Sequence, residues 1–377
     1  MRKNLIIISS LAAGIFYASC KDPFVPKLTT QNTNGLVVEG FIDGGDSTLI
    51  DISRVRSLKG QDTAAKIFVD GADVRIEDDQ NNAYPLKGMG NGHYAALWNL
   101  SPENHYRIHI TTADDKDYIS DFVVMKVSPP IDSINYQLTK DGAQFYVNTH
   151  DNSRQTTFYR WNFSETWEYH STFVSQFYYD PSQVKIFPRT KQVEVCWQIN
   201  RNNQILVNST ANLQKDEVSQ FPINLIPYGD VRLGVLYSIR VKQFAMDTLG
   251  FNFFDLLKKN SEQMGTLFDP QPNNIRGNIH NIKDPSEIVI GYVGAGVTSS
   301  NRTFFQIPWS YQQNCPDVKV VPNNKDSLVH YFGQGGYIPL LPETGGGKDT
   351  TAWDAGFNLC TDCTLRGGTN VKPSYWP

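Results

Sequence analysis

The sequence lacks a strong excess of either charge. Its 34 lysine and arginine residues nearly balance its 38 aspartate and glutamate residues, which leaves a formal net charge of −4 at pH 7. Proteins that bind nucleic acid present a basic patch or stripe. This composition is not basic enough to supply one, so we expect no nucleic-acid partner.

Recognisable catalytic motifs are also missing. The sequence contains no G-x-S-x-G elbow, no H-E-x-x-H motif and no Walker A loop. Acidic clusters at 43–46 and 77–79 fall where turns are expected and lack EF-hand spacing. His105 and His109 would share a strand face, but Arg107 between them argues against a shared metal. We expect no enzyme activity, cofactor or metal; glycosidase-type carboxylates assembled by the fold are the alternative.

A long apolar run occurs only near the N-terminus. Arg2 and Lys3 precede an apolar run over residues 5–16, and small residues then lead to Cys20. This order predicts a signal peptide over residues 1–19, because the run is shorter than the roughly 20 residues of a transmembrane helix. Tyr-Ala-Ser-Cys resembles a bacterial lipobox, so we expect Cys20 to be lipidated and to anchor the chain in a membrane. An ordinary secreted protein is the alternative.

Cysteine is scarce, and the chain has only five. Besides Cys20, the sequence offers Cys196, Cys315, Cys360 and Cys363. An even number in an exported chain indicates disulfides, and the sequence leaves their connectivity open. The C-x₂-C spacing of the last two cysteines would also suit a Cys₄ zinc site.

The pattern along the chain predicts a mainly β protein. Residues 20–34 are typical of a flexible tether, and residues 35–128 contain about seven short alternating runs, which predict an immunoglobulin-like β-sandwich. Pro129 and Pro130 cannot continue a sheet ladder and mark a domain boundary. Residues 131–377 are expected to form a larger β-rich domain with one or two short helices and a cysteine-containing C-terminal tail. Asn252 and Gly265 are the expected ends of its clearest helix.

Residues 158–173, FYRWNFSETWEYHSTF, are unusually aromatic. From residue 159 to 170, aromatic and polar side chains alternate with period two, which predicts a strand with one buried aromatic face. Glu165 interrupts that face, and a buried carboxylate needs a partner or an opening to water. Trp161, Glu165 and Trp167 are therefore the candidate ligand-binding residues, and a purely structural core strand is the alternative.

Several stretches carry a resemblance to a known family. They are residues 36–40, 129–133, 159–161, 196–197, 265–272, 277–279, 291–292, 360–363, 367–370 and 372–373. On these residues the chain resembles a family of Bacteroidota outer-membrane lipoproteins of unknown function (domain of unknown function four-two-four-nine).

The resemblance implies a cellular location and a partner, but no chemical reaction. Genes of this family commonly neighbour those of TonB-dependent outer-membrane transporters, which implies an accessory subunit that captures or gates the transporter's substrate. We therefore expect a lipid-anchored outer-membrane protein that faces the cell surface, with a TonB-dependent transporter as its partner. Its surface display is implied by analogy, although only Asp22 is acidic directly after the lipid cysteine. An independent glycan- or peptide-binding module is the alternative.

Overall fold

The computed structural model describes residues 35–54, 66–262, 277–309, 311 and 313–377. The expected signal peptide over residues 1–19, Cys20 and the tether lie outside these described residues. Within them the fold is mainly β with a few short helices, as the sequence predicts.

The strands are numbered in chain order. The first nine are β1 (Leu36–Asp43), β2 (Thr48–Arg54), β3 (Ile67–Phe68), β4 (Asp73–Asp78), β5 (Ala83–Gly90), β6 (His93–Ala96), β7 (His105–Thr111), β8 (Asp117–Ser120) and β9 (Val123–Val127). The next nine are β10 (Ile131–Leu138), β11 (Gly142–His150), β12 (Phe158–His170), β13 (Phe177–Asp180), β14 (Lys185–Pro188), β15 (Val195–Arg201), β16 (Leu206–Ser209), β17 (Glu217–Pro227) and β18 (Leu236–Ala245). The remaining strands are β19 (Ile279–Asn281), β20 (Val289–Ile290), β21 (Val293–Val297), β22 (Ser299–Phe305), β23 (Lys319–Pro322), β24 (Tyr337–Glu343) and β25 (Ala352–Phe357).

Helices are few and mostly short. The α-helices are α1 (Thr248–Glu262), α2 (Lys325–Leu328) and α3 (Asn358–Thr361), and short 3₁₀ or π turns occupy Val231–Leu233, Val329–Gln334 and Cys363–Arg366. Helix α1 begins four residues before the expected cap at Asn252. Its first turn is stabilised by Asp247, whose Oδ1 accepts a hydrogen bond from the Gly250 amide at 2.7 Å. The expected end at Gly265 lies outside the described residues.

The first sheet has 12 strands and combines β1–β9 with β19–β21. Its order is β19-β8-β7-β4-β5-β6-β2-β1-β21-β9, and β9 also pairs with β7. That last pairing closes a cycle of strands around one core. The mainly β class is therefore confirmed, whereas the immunoglobulin-like sandwich is not.

Strand β21 comes from far along the chain and closes this cycle. It runs parallel to β1, with Gly40 opposite Val293, and parallel to β9, with Ala295 opposite Met125. Without it, β1 and β9 would each present unpaired backbone groups at a sheet edge. The first sheet therefore contains residues beyond 278 as well as those between 35 and 128.

The path into β21 requires a glycine. Gly291 adopts φ +148°, and a Cβ built there would lie 2.0 Å from the carbonyl oxygen of Val38. Only glycine allows this close backbone approach between β1 and the segment that joins β20 to β21. The apolar run over residues 287–293 is accordingly split into β20 and the start of β21.

The first core lies inside the cycle of strands. It includes the fully buried side chains of Leu36, Ile50, Tyr106 and Tyr118, and helix α1 adds Phe253. Burying aromatic and aliphatic side chains of this size is the main favourable contribution to folding.

A second core lies between two further sheets. One sheet has the order β10-β11-β17, and the other has the order β15-β12-β18-β22 with β16 also on β12. Strand β12 confirms the predicted alternation, because its odd-numbered side chains from 159 to 169 are all buried. The largest of them, Trp161, is fully buried.

The C-terminal tail covers the other face of β12. The Trp376 indole donates a hydrogen bond to Glu168 at 2.9 Å, and the Tyr375 hydroxyl lies 3.0 Å from the Thr166 hydroxyl. Thr166, a polar residue expected on a solvated face, is consequently fully buried. The remaining strands form a β13–β14 pair and a β23-β25-β24 sheet.

Candidate functional site

Glu165 is held at the centre of a buried hydrogen-bond network. Its Oε1 accepts hydrogen bonds from the Tyr237 hydroxyl at 2.9 Å, the Asn224 amide at 2.8 Å and the Arg232 guanidinium at 3.0 Å. Its Oε2 accepts one from Asn200 at 3.2 Å. The carboxylate that interrupts the aromatic face of β12 is therefore fully hydrogen-bonded. Its partners come from β15, β17, β18 and the turn before β18.

The network is electrostatically coupled. Burial, reinforced by the charge of Glu165, raises the pKa of Tyr237 well above its usual value. Burial opposes protonation of Arg232, but the Asp230 hydrogen bond and both neighbouring carboxylates outweigh it and raise the pKa of Arg232. Burial acts against ionisation of Asp230 as well, and hydrogen bonds from Arg232 still lower the pKa of Asp230. Asp230 and Arg232 thus stay ionised and Tyr237 stays protonated, and the hydrogen bond from Arg232 to Glu165 holds the 230–234 turn against β12.

The two candidate tryptophans are core residues. Trp161 is fully buried, and its indole N–H donates to the Gln243 side chain at 2.8 Å. Trp167 is only 7% exposed. Neither indole leaves a face open for a ligand to stack on. The structure therefore does not support Trp161 and Trp167 as ligand-binding residues. Period-two alternation buries a whole face of a strand, including residues that would suit a ligand.

An open cleft lies beside the buried network. It measures about 440 Å³, within the roughly 300–1,000 Å³ range of small-molecule sites. Tyr169 at the end of β12, Val231 and Gly234 on the turn, and Tyr311 and Gln313 on the following loop all line it. Val231 and Gly234 lie on the same short turn as Arg232. The hydrogen bond between Arg232 and Glu165 therefore holds this wall of the cleft in place.

Two further aromatic side chains, Tyr228 and Trp309, lie a few residues along the chain from segments that line the cleft. Tyr228 is 73% exposed, and its ring centroid lies 4.8 Å from that of Trp309. Tyr311 packs against Gly234. A Cβ built on Gly234 would lie only 2.8 Å from the Tyr311 Cβ. The sequence analysis missed these three aromatics. The available signal was their position in turns and loops, where period-two burial does not apply.

The four cysteines of the folded region form two disulfides. Cys196 pairs with Cys363, and Cys315 pairs with Cys360. The disulfide prediction is confirmed, and the Cys₄ zinc alternative is excluded because each sulfur is bonded to another. The C-x₂-C residues thus each join a different distant segment and do not pair with one another.

The part of the chain that the structure describes offers neither a metal-binding group nor a membrane-spanning helix. No group of three or more His, Cys, Asp or Glu side chains there is placed to hold a metal ion. His105 and His109 each contact a carboxylate instead, Asp79 at 2.9 Å and Glu77 at 2.8 Å. None of the described helices has both the length and the hydropathy that a membrane crossing needs.

Comparison with known proteins identifies the family. The chain matches the family described as domain of unknown function (DUF4249) over residues 21–302, which is more than half of its length. The chain belongs to this family. The match ends before Cys315, so the disulfide-bonded tail lies beyond it. A comparison with curated proteins finds no match.

Proposed function

We propose that this protein is a lipid-anchored, non-enzymatic protein of the outer membrane that faces the cell surface. In this proposal it serves a TonB-dependent transporter as an accessory subunit that captures substrate. The family resemblance supports the partnership, because relatives are commonly encoded beside such transporters. The β-rich body with two disulfides suits an exported protein, since disulfides persist in oxidising compartments.

One observation carries the anchoring part of the proposal. Two disulfides use four of the five cysteines, which leaves Cys20 without a cysteine partner. Cys20 follows a positively charged start, an apolar run and small residues, in the order that bacterial lipoproteins require. A cysteine that carries two or three acyl chains anchors a protein firmly, because each buried methylene contributes about 0.8 kcal/mol.

Affinity purification from native outer membranes in mild detergent tests the partnership. We expect a TonB-dependent transporter to copurify in a stoichiometric amount, as identified by mass spectrometry. The matched control is the Cys20→Ser protein, which should not bring the transporter along if anchoring positions the complex. Recovery of the wild-type protein alone under the same gentle conditions would contradict the accessory role.

The second candidate is an independent glycan- or peptide-binding module. The exposed Tyr228, which packs on the partly buried Trp309, favours it, since Tyr and Trp supply large contact areas at a low entropy cost. Glycan and peptide arrays probed with the wild-type chain test this role. Tyr228→Ala should abolish any captured ligand, whereas Tyr178→Ala, which removes another exposed tyrosine on β13, should leave it bound.

A further inference from the structure

Arg160 occupies an unusual position on β12. It lies next to Trp161 and points away from the second core, toward the junction with the first sheet. Its guanidinium carbon lies 4.4 Å from the ring centroid of Phe244 on β18 and 4.4 Å from that of Phe254 on helix α1. Cation–π contact with two rings holds the planar group in a fixed orientation.

This guanidinium has no counter-ion in the part of the chain that the structure describes. Among the described residues, no carboxylate oxygen lies within ion-pair distance of it, and its buried Nε has no hydrogen-bond partner. Burial alone lowers the pKa of Arg160 to about 10, which leaves it charged at neutral pH. Buried charges in proteins are normally paired, because an unpaired one is costly.

Arg160 lines a cleft of about 320 Å³ between β1 and the β12–β18 pair. The floor and walls also include the apolar side chains of Phe41, Leu49 and Phe244 and the amide of Asn162. The cleft is thus large enough for a small molecule, and its lining combines these apolar side chains with charged ones.

The acidic residues of the cleft already have partners. Each contacts a basic side chain: Glu39 with Lys66 at 3.8 Å, Asp43 with Lys242 at 2.9 Å and Asp51 with His93. Among the described residues, Arg160 is thus the charged side chain of this cleft that makes no ion-pair contact. The same acidic residues would repel a dianion such as phosphate more strongly than a monoanion.

We propose that this cleft binds the carboxylate of a small organic ligand with an apolar body, and that Arg160 is its anchor. A clamped, planar guanidinium presents its N–H donors in the fork that matches a carboxylate in two parallel hydrogen bonds. The apolar walls would bury the remainder of the ligand. This inference is independent of the proposed transporter partnership, because it rests on contacts within the chain.

Benzoate is a suitable probe, and benzamide is its neutral isostere. The full chain in detergent, with both disulfides intact, is titrated with each compound by calorimetry and by thermal unfolding. We expect benzoate to bind and to raise the unfolding midpoint, and benzamide and phosphate to have little effect. Equal responses to benzoate and benzamide, or no response to benzoate, would overturn the proposal.

Substitutions at Arg160 test whether this side chain binds benzoate. Arg160→Met should weaken benzoate binding by more than about tenfold, because charge-assisted hydrogen bonds are lost. Arg201→Met, at an exposed arginine on β15, is the matched control and should bind as the wild type does. If Arg160→Met does not fold, Arg160→Lys keeps the charge without the fork and should bind more weakly than the wild type. Unchanged benzoate affinity in the folded variant would show that the arginine is only a structural clamp.

Discussion

The Nη1 of Arg232 lies 3.0 Å from the Oε1 of Glu165, although 67 residues separate the two in the sequence. The contact joins the middle of β12 to the turn that precedes β18. The Glu165 side chain is only 3% exposed and that of Arg232 is 20% exposed. In such a pair, removing one partner leaves a poorly compensated charge and costs more than the pair itself contributes.

Glu165→Ala should destabilise the protein markedly. Arg232, Asn224 and Tyr237 would all lose their shared acceptor, and we expect the free energy of unfolding to fall by about 3 kcal/mol. Urea denaturation followed by tryptophan fluorescence measures this change. Glu103→Ala, at an exposed glutamate, is the control and should stay within about 0.5 kcal/mol of the wild type. Equal effects of the two substitutions would show that the network does not stabilise the fold.

Glu77 should make stability depend on pH in the acid range. Burial acts to raise its pKa, but hydrogen bonds from His109, Arg75 and Arg107 outweigh burial and lower the pKa of Glu77 to about 2. The pKa is therefore lower in the folded than in the unfolded chain. Its contribution is complete above the unfolded value of about 4.5 and is lost as the pH falls toward 2.

Replacing this carboxylate tests the pH dependence. Glu77→Gln should reduce stability at pH 7 and flatten the loss of stability between about pH 4.5 and pH 2. Thermal unfolding across this range measures both effects. Glu103→Gln should keep the wild-type slope. A wild-type slope in Glu77→Gln would contradict the assignment of the low pKa to Glu77.

Local pattern was enough to predict strand β12 and the class of the fold. The alternation around Trp161 fixes both the secondary structure and the buried face, because neighbouring side chains in a strand point to opposite sides. The same pattern identified Glu165 as a carboxylate on an apolar face, and the structure supplies its partners. The pattern does not show whether a pocket opens onto that face, and for that reason Trp161 and Trp167 are ligand candidates on sequence alone.

The pairing between distant segments could not be predicted from the sequence. Nothing in the local pattern indicates that β21 inserts between β1 and β9, since parallel pairing depends on strand edges that only the fold brings together. The aromatic pair of Tyr228 and Trp309 is likewise assembled from two loops. Arg160 lay on the polar face of β12, and only the structure shows that two phenylalanine rings cover it.

The two disulfides should contribute unequally to stability. The Cys196–Cys363 bond spans 167 residues and the Cys315–Cys360 bond spans 45. The chain-entropy relation gives about 5 kcal/mol for the longer loop and about 4 kcal/mol for the shorter. Replacing both cysteines of the longer loop by serine should therefore lower stability more, and chemical denaturation measures the difference.

Peptide mapping checks the pairing on which that comparison rests. Digestion under non-reducing conditions should yield one linked peptide pair for each disulfide and none that joins Cys360 to Cys363. A peptide with that internal link would contradict the pairing. A larger loss of stability from the 45-residue loop would instead contradict the ranking by loop length.

Cys20→Ser should move the protein from the membrane fraction to the soluble fraction. The hydroxyl of serine cannot accept the thioether-linked lipid that holds a bacterial lipoprotein in its membrane. Fractionation with immunoblotting measures the change, and incorporation of labelled palmitate should be lost with it. The double variant Cys315→Ser, Cys360→Ser removes two cysteines but keeps Cys20, and it should remain in the membrane fraction. Membrane retention of Cys20→Ser would contradict lipid anchoring, because the anchor is the feature that this substitution removes.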